Sequence, residues 1–557
     1  MKKFVKILLT VLGVFALLII AVMAVAYIPS PKFEPIAYDP VALDYWPTNA
    51  FRTATPEEQG MDSERLLEMV ATYHEQSAED PAFDIDSITI IRNGYLVTDL
   101  YFDPLFPKDT LHVLHSCTKS VISALIGIAI DQGHIESADM PMVTFFAENE
   151  IPEMDPGLRE VTVRDLLTMQ TGIRTQDSYL YDYRGLFAAQ DTEDWVAYTL
   201  SLPMAEEPGT RFDYSNLSSF LLSAILQKST GMDTLSYAQE NLFEPLGIDD
   251  IRWDTSPQGI YIGWARMWLK PHDMAKFGLL YLQKGQWEGQ QLIPASWVAE
   301  SLTPQAFPKN YHDILDETGK KDHEKSAENW VSMKFLRPFT DGYGYQWWLE
   351  KDGTYTALGT GGQYIMVAPK ENLVVVFTSQ SSGLGVFTVA DLFNDYIRKA
   401  VISDQPLSPN VEAQIKLSAA AEPPELHQNR QPLPELPPSA MEISGETYVL
   451  EDNNWHNDNF QLEFEPGAAD AIFSYTTRDS DFISYKVGLD DVYRFTETDI
   501  GIFAAKGSWT SPETFEIAYQ QIGYSTPGKW ILHYTNQALD VTEIGVTGEY
   551  HYSGFQK

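Results

Sequence analysis

The sequence predicts an α+β chain: an antiparallel sheet built from both ends of one long segment, helices packed on it, and a separate all-β domain at the C-terminus. Three observations carry this prediction. Apolar strand-like segments flank the turns Asn93-Gly94 and Pro369-Lys370-Glu371-Asn372, and helical spacing dominates the stretch between them. A proline-rich run then separates this unit from a series of short alternating segments.

At the start, Lys2, Lys3 and Lys6 precede an uncharged apolar stretch over residues 7–28, and Pro29 stops it. A membrane-crossing helix takes about 20 apolar residues, so residues 1–33 read as an anchor. The expected location is the cell membrane, with one N-terminal span and everything after Pro29 outside the cytoplasm. Ala24-Val25-Ala26 offers a cleavage site, and use of it would make the protein secreted.

Residues 34–402 form the next expected unit. Leu66, Leu67, Met69, Val70 and Tyr73 share helical spacing over 62–76, and residues 87–101 read as two strands joined by Asn93-Gly94. Strands over 363–368 and 373–379 form a second hairpin, followed by a helix-like run over 387–401. Residues 313–329 are polar and charged enough for a mobile surface insertion. Residues 403–440 have a linker composition, with prolines recurring among alanine and acidic residues. Residues 441–557 alternate, as in Phe515, Ile517 and Tyr519 and then Trp530, Leu532 and Tyr534, and read as a small sandwich or barrel.

Composition excludes several functions. The 557 residues carry 38 Lys plus Arg against 78 Asp plus Glu, a formal charge of −40, with no basic run interleaved with aromatics. Such a polyanion repels phosphate backbones, so no nucleic-acid partner is expected. With 44% hydrophobic and 21% charged residues, the chain is not disordered as a whole. Cys117 is the single cysteine, which excludes an intramolecular disulfide and any multi-cysteine zinc site.

Chemistry concentrates in three places. His115-Ser116-Cys117-Thr118-Lys119-Ser120 opens the apolar helical run 121–130. Residues three apart share a helix face, so Ser116 and Lys119 point the same way. A serine hydroxyl becomes a nucleophile once a base takes its proton, and a lysine serves as that base when desolvation and the positive helix end destabilise its ammonium. Tyr214-Ser215-Asn216 precedes a second apolar helix over 217–226. A tyrosine beside an amine shuttles a proton, and an asparagine holds the amine and a substrate carbonyl. Gly359-Thr360-Gly361-Gly362-Gln363 then leads into a strand, and its glycines let a ligand lie along the strand edge. An amide there, with that of Ser116, suits a developing oxyanion. Cys117 turns off the shared face and reads as a packed thiol. His112 and His115 read as hydrogen-bonded structural residues, and the aromatic run Tyr345, Trp347 and Trp348 as either core or pocket lining.

Ser116-Cys117-Thr118-Lys119, Tyr214-Ser215-Asn216 and Gly359-Thr360-Gly361, in that order, resemble the Ser-x-x-Lys, Tyr-x-Asn and Lys-Thr-Gly elements of the class C β-lactamase and penicillin-recognising serine hydrolase family. Residues 161–169, 273–278 and 343–348 also resemble stretches that recur in it. The resemblance spans about residues 55–402. It implies a β-lactamase/transpeptidase-like antiparallel sheet with a helical subdomain and a site between them.

It further implies Ser116 as acylated nucleophile, Lys119 as general base and Tyr214 as proton relay. Asn216, Gly359, Thr360, Gly361, Gly362 and Gln363 become substrate-binding residues, with the amides of Ser116 and of a residue just after Gly361 as oxyanion hole. Gly359 or Leu358 stands where the family places a lysine, which argues against an efficient β-lactamase. Gly-Gly-Gln-Tyr at this point looks more like the esterase and 6-aminohexanoate-dimer hydrolase branch. The expectation is therefore a serine hydrolase of small amides or esters, needing no metal or other cofactor. The alternative is a penicillin-binding-like sensor with little turnover. The sequence names no protein partner for the C-terminal domain.

Overall fold

The structure is a computed structural model. It describes residues 37–557 except 81, 107, 147–153, 176–183, 309–340, 382–384, 423–425, 427, 452, 454–456, 478–481, 525–526, 536 and 546–547.

After helix α1 (Ser63–Glu79), strands β1 (Ile85–Arg92) and β2 (Tyr95–Tyr101) form the hairpin expected at Asn93-Gly94. Both turn residues have positive φ, 51° and 83°, the twist that a two-residue hairpin loop needs. Helices α2 (Thr118–Asp131), α3 (Asn216–Thr230) and α4 (Pro271–Leu282) follow. The chain then returns to the sheet through β3 (Gly342–Tyr343), β4 (Trp348–Leu349), β5 (Tyr355–Gly359), β6 (Gln363–Ala368) and β7 (Leu373–Ser379), and leaves it in α5 (Gly385–Leu392). The sheet order is β2-β1-β7-β6-β5-β4-β3, so β1 from the first half pairs antiparallel with β7 from the second.

Both faces of this sheet are covered. Ile365, Val367, Val374 and Val376 face α2, α3 and α4, while Tyr364, Met366, Val375 and Phe377 face α1 and the helix after β7. This accounts for the unbroken apolar run of β7: a strand buried on both sides has no polar face to alternate with. Gly278 lets α4 lie close to the sheet, since a Cβ there would stand 2.6 Å from Val374.

The proline-rich stretch contains helix α6 (Val411–Ala421), whose Ala413 and Leu417 are buried and whose Gln414 donates to Glu57 at 2.6 Å. The C-terminal domain is a barrel. Its strands are β8 (Thr447–Leu450), β9 (Asn457–Glu463), β10 (Asp470–Thr477), β11 (Phe482–Gly488), β12 (Arg494–Thr498), β13 (Gly501–Ser511), β14 (Thr514–Gln521), β15 (Gly528–Thr535), β16 (Ala538–Gly545) and β17 (Gly548–Gln556). The order is β11-β10-β9-β8-β17-β16-β15-β14-β13-β12. A parallel contact between Gly488 and Lys506 joins β11 to β13, which closes the ring and leaves β12 outside it. Here the alternation is clean because only the inward face is dry: Phe515, Ile517, Trp530, Leu532, Leu539 and Val541 fill the interior.

The barrel docks on the first domain. Ala504 and Ile522 pack with Tyr101, Leu105 and Phe106, and Gln520 donates to Asp103 at 2.9 Å and Gln380 at 3.2 Å.

One expectation is corrected. Among the described residues no helix is long and apolar enough to cross a membrane, against the single N-terminal span expected from residues 7–28. The longest described helix, α1, has 17 residues and a polar face. That length is about 26 Å, short of a hydrocarbon core of about 30 Å. Residues 1–33 and the insertion expected at 313–329 lie outside the described residues.

Candidate active site

Ser116 lies in a single tight turn, His115–Cys117, that runs directly into α2. His115 has φ 45°, a left-handed backbone uncommon outside glycine, and this kink swings the chain from the short strand His112–Val113 into the helix. Three residues on, Lys119 lies on the first turn of α2 and is 1% exposed. Its Nζ stands 3.0 Å from Ser116 Oγ.

Asn216 and Trp264 also hold that nitrogen. Asn216 Oδ1 accepts from it at 2.9 Å and the Trp264 carbonyl at 3.0 Å. Asn216 is placed by the start of α3, where Ser215 is the N-cap and its hydroxyl accepts from Ser218 N at 3.2 Å. Trp264 is placed by its neighbour. A Cβ on Gly263 would stand 2.2 Å from Ser219 O, so a glycine is needed for the 262–264 segment to lie against α3.

Tyr214 comes in from the residue before that cap. It is 5% exposed, and its ring centroid is 4.8 Å from Lys119 Nζ. Trp348 stacks on the ring at 5.7 Å, and Tyr343 and Phe212 meet it at 6.3 and 6.5 Å. The aromatic run is thus divided. Trp348 lines the site, whereas Trp347 is core, packed on Phe277, Tyr281 and Tyr355, and Tyr345 packs on Trp297.

The third motif forms the turn between β5 and β6. A Cβ on Gly359 would stand 2.3 Å from Leu114 O, so this strand end lies directly against the segment leading to Ser116. Thr360 is exposed, and Gly361 and Gly362 have φ 80° and 88°, a pair of conformations that side chains resist. Gln363 is buried, and its amide binds the backbone of Ser379 in both directions, which holds the turn in shape. The Cys117 thiol lies 3.5 Å from Gln363 O, and burial pushes it up.

Around this centre, burial pushes His115 down to about 3, assisted by His112, Arg266 and Lys119, so its imidazole is neutral. His112 is a buried structural residue, with Nε2 2.6 Å from Asp86 and Nδ1 3.1 Å from the Val113 carbonyl. Behind the site, Gln346 ties three elements together. Its side chain donates to the Leu166 and Leu167 carbonyls and accepts from Ser219, and its backbone carbonyl accepts from Ser120.

The structure therefore brings Ser116, Lys119, Tyr214, Asn216 and the Gly359–Gln363 turn into one place. Sequence reasoning missed the Trp264 carbonyl and the Gln346 hub. A backbone acceptor carries no residue-type signal, and the only clue to it was the glycine beside it.

The Beta-lactamase family model matches residues 70–396. The chain is 22% identical over 306 residues to the 6-aminohexanoate-dimer hydrolase of Paenarthrobacter ureafaciens, covering 52% of this chain and 71% of that one. It is 28% identical over 119 residues to the lovastatin esterase of Penicillium rubens, covering 21% and 30%. Among solved structures, the octameric penicillin-binding protein homologue from Pyrococcus abyssi aligns with TM-score 0.44 at 15% identity, covering 88% of this chain and 99% of that one. The match spans more than half of the sequence and contains all three motifs, and this protein, a hydrolase with the β-lactamase fold, belongs to the Beta-lactamase family.

Proposed function

We propose that the protein is a serine hydrolase that cleaves small amides or esters through an acyl-enzyme on Ser116, with Lys119 as general base and Tyr214 as proton relay. The observation that carries this reading is the approach of Lys119 Nζ to Ser116 Oγ at 3.0 Å, one helical turn along the chain. Asn216 Oδ1 and the Trp264 carbonyl only accept hydrogen bonds. An uncharged amine has two N–H groups and one lone pair. Nζ lies within hydrogen-bond distance of Ser116 Oγ, Asn216 Oδ1 and the Trp264 carbonyl, at 3.0, 2.9 and 3.0 Å, and in its uncharged form it takes the hydroxyl proton on its lone pair. Burial supports the uncharged form of an amine.

In the first step the Ser116 hydroxyl proton passes to Lys119 Nζ as Oγ bonds to the substrate carbonyl carbon. The amides of Ser116 and Gly362 suit the resulting oxyanion. Gly362 N–H reaches Gly359 O at 3.3 Å, a long bond that a charged oxygen would outcompete. Tyr214 passes its proton to the departing amine or alcohol as the carbonyl re-forms and the bond to the leaving group breaks, and takes in exchange the proton that Lys119 Nζ received, which returns the lysine to its uncharged form. Water then repeats the sequence on the acyl-enzyme and releases Ser116. The relatives named 6-aminohexanoate-dimer hydrolase and lovastatin esterase support this substrate class. Gly359 or Leu358 in place of a lysine leaves no cation at this position to hold a β-lactam carboxylate.

That missing cation also favours the second reading, a sensor that acylates and stays acylated. A fluorophosphonate probe followed by peptide mass mapping tests both. Labelling at Ser116 together with hydrolysis of p-nitrophenyl acetate, lost in Ser116→Ala, is the expected result. Labelling without turnover would favour the sensor, and a folded chain left unlabelled would sink both.

A further inference from the structure

The barrel reaches the same place by a separate route. Between β14 and β15 the chain passes through Ile522-Gly523-Tyr524. Ile522 is anchored among Tyr101, Leu105 and Phe106 of the first domain. Gly523 lies flat on the segment that leads to Ser116: its carbonyl accepts from Val113 N at 2.8 Å, and a Cβ on it would stand 2.4 Å from Leu111 O. With φ +69° as well, this position tolerates little besides glycine.

The turn delivers Tyr524, half-buried, to the residue preceding the nucleophile. Its ring centroid is 5.7 Å from that of His115. Trp268 stacks on it at 6.1 Å and 24°, and the Arg266 guanidinium stands 5.6 Å from the ring centre. Arg266 and Trp268 belong to the same stretch as Trp264, whose carbonyl holds Lys119. Rings from two domains thus meet beside His115, the residue that precedes Ser116.

We infer that the Ile522–Tyr524 turn of the C-terminal barrel forms a wall of the substrate cleft, and that Tyr524, paired with Trp268, selects substrates bearing an aromatic or other flat apolar arm beside the scissile bond. Stacked rings offer such an arm apolar surface at little entropic cost, and ring-to-ring contacts contribute beyond the area they bury. The inference rests on the acyl-enzyme reading above. It gives the barrel a task in recognition, which explains why a glycine turn, an apolar anchor and a backbone hydrogen bond all fix its position three residues before Ser116.

Two pairs of esters test it, one pair differing in the acyl group (acetate against phenylacetate) and one in the alcohol (methyl against benzyl). The readout is the ratio of kcat/KM for the aryl member to that for its small partner, which a general loss of folded enzyme does not move. Tyr524→Ala in the full chain is expected to lower this ratio at least fivefold in one of the two pairs, and Tyr524→Phe to keep it near the wild-type value. Trp268→Leu, which removes the stacking partner, is expected to lower the same ratio. Ratios within twofold of wild type in both pairs, for Tyr524→Ala and Trp268→Leu alike, would overturn the wall while leaving the hydrolase intact. A wild-type chain that neither hydrolyses the small esters nor takes a fluorophosphonate on Ser116 would overturn the reading beneath it.

Discussion

At the scale of single residues, the chemistry turns on how Lys119 is held. Its nitrogen lies within hydrogen-bond distance of the Ser116 hydroxyl and of the Asn216 and Trp264 carbonyl oxygens, none of which adds a charge beside it. Lys119→Met is expected to lower kcat/KM for p-nitrophenyl acetate by about 10²- to 10⁴-fold, the range of a positioned base. Asn216→Ala removes one acceptor from the amine, and steady-state kinetics should show a loss of roughly 10- to 100-fold. Asn216→Asp tests the charge argument directly. A carboxylate 2.9 Å from Nζ favours the ammonium, so the rising limb of the pH profile of kcat/KM should move to higher pH by about one unit or more. An unmoved limb would separate Lys119 from the base role.

Among elements, close approaches made possible by glycine position the site more than any one helix does. Gly359 brings the end of β5 against Leu114 O, and Gly263 brings the Trp264 carbonyl to α3. Gly359→Ala must push β5 away from the nucleophile segment. The expected result is a stability loss of about 1–3 kcal/mol in urea unfolding, together with at least tenfold slower fluorophosphonate labelling of Ser116. The cap of α3 is the complementary case. Ser215→Ala should cost about 1 kcal/mol and loosen Asn216 at the helix start. Elements of this kind were legible in proportion to how local their causes are. The hairpin of β1 and β2 follows from Asn93-Gly94, because two adjacent positive φ values are a property of the dipeptide. The return of the chain to pair β7 with β1 followed from no dipeptide, since it depends on which apolar faces the helices between them cover.

For the whole molecule, the contact between the domains carries buried acid. Burial, and the neighbouring Asp86, push Asp84 up to about 7 and Asp103 up to about 6. Asp103 accepts from Gln520 of the barrel, Gln520 also donates to Gln380, and Gln380 donates to Asp86, which meets His112 on the strand leading to Ser116. Both raised carboxyls hold protons in the native state that an unfolded chain releases above about pH 4. Between about pH 4 and 7 the native state therefore binds more protons than the unfolded one, and the stability these groups contribute falls as pH rises through that window. Asp103→Asn keeps an oxygen for Gln520 and removes the titration. Its Tm should drop less than that of the wild type between pH 5 and pH 8, and parallel curves in scanning calorimetry would count against the linkage.

The sequence by itself determined the parts whose physics is local: two hairpin turns, the helical spacing of the middle segment, the alternation of the barrel strands, and the placement of Ser116 and Lys119 on one helix face. Those features depend on neighbours no more than four residues apart. Tertiary structure alone decided that Tyr214 meets Lys119 from almost a hundred residues away, that a backbone carbonyl accepts from the lysine, that Trp347 and Trp348 part company, and that a barrel turn packs on the segment leading to the nucleophile. Each of these depends on which surfaces close on each other once apolar faces are buried, and that closure is a property of the assembled fold, which no short stretch of residues encodes.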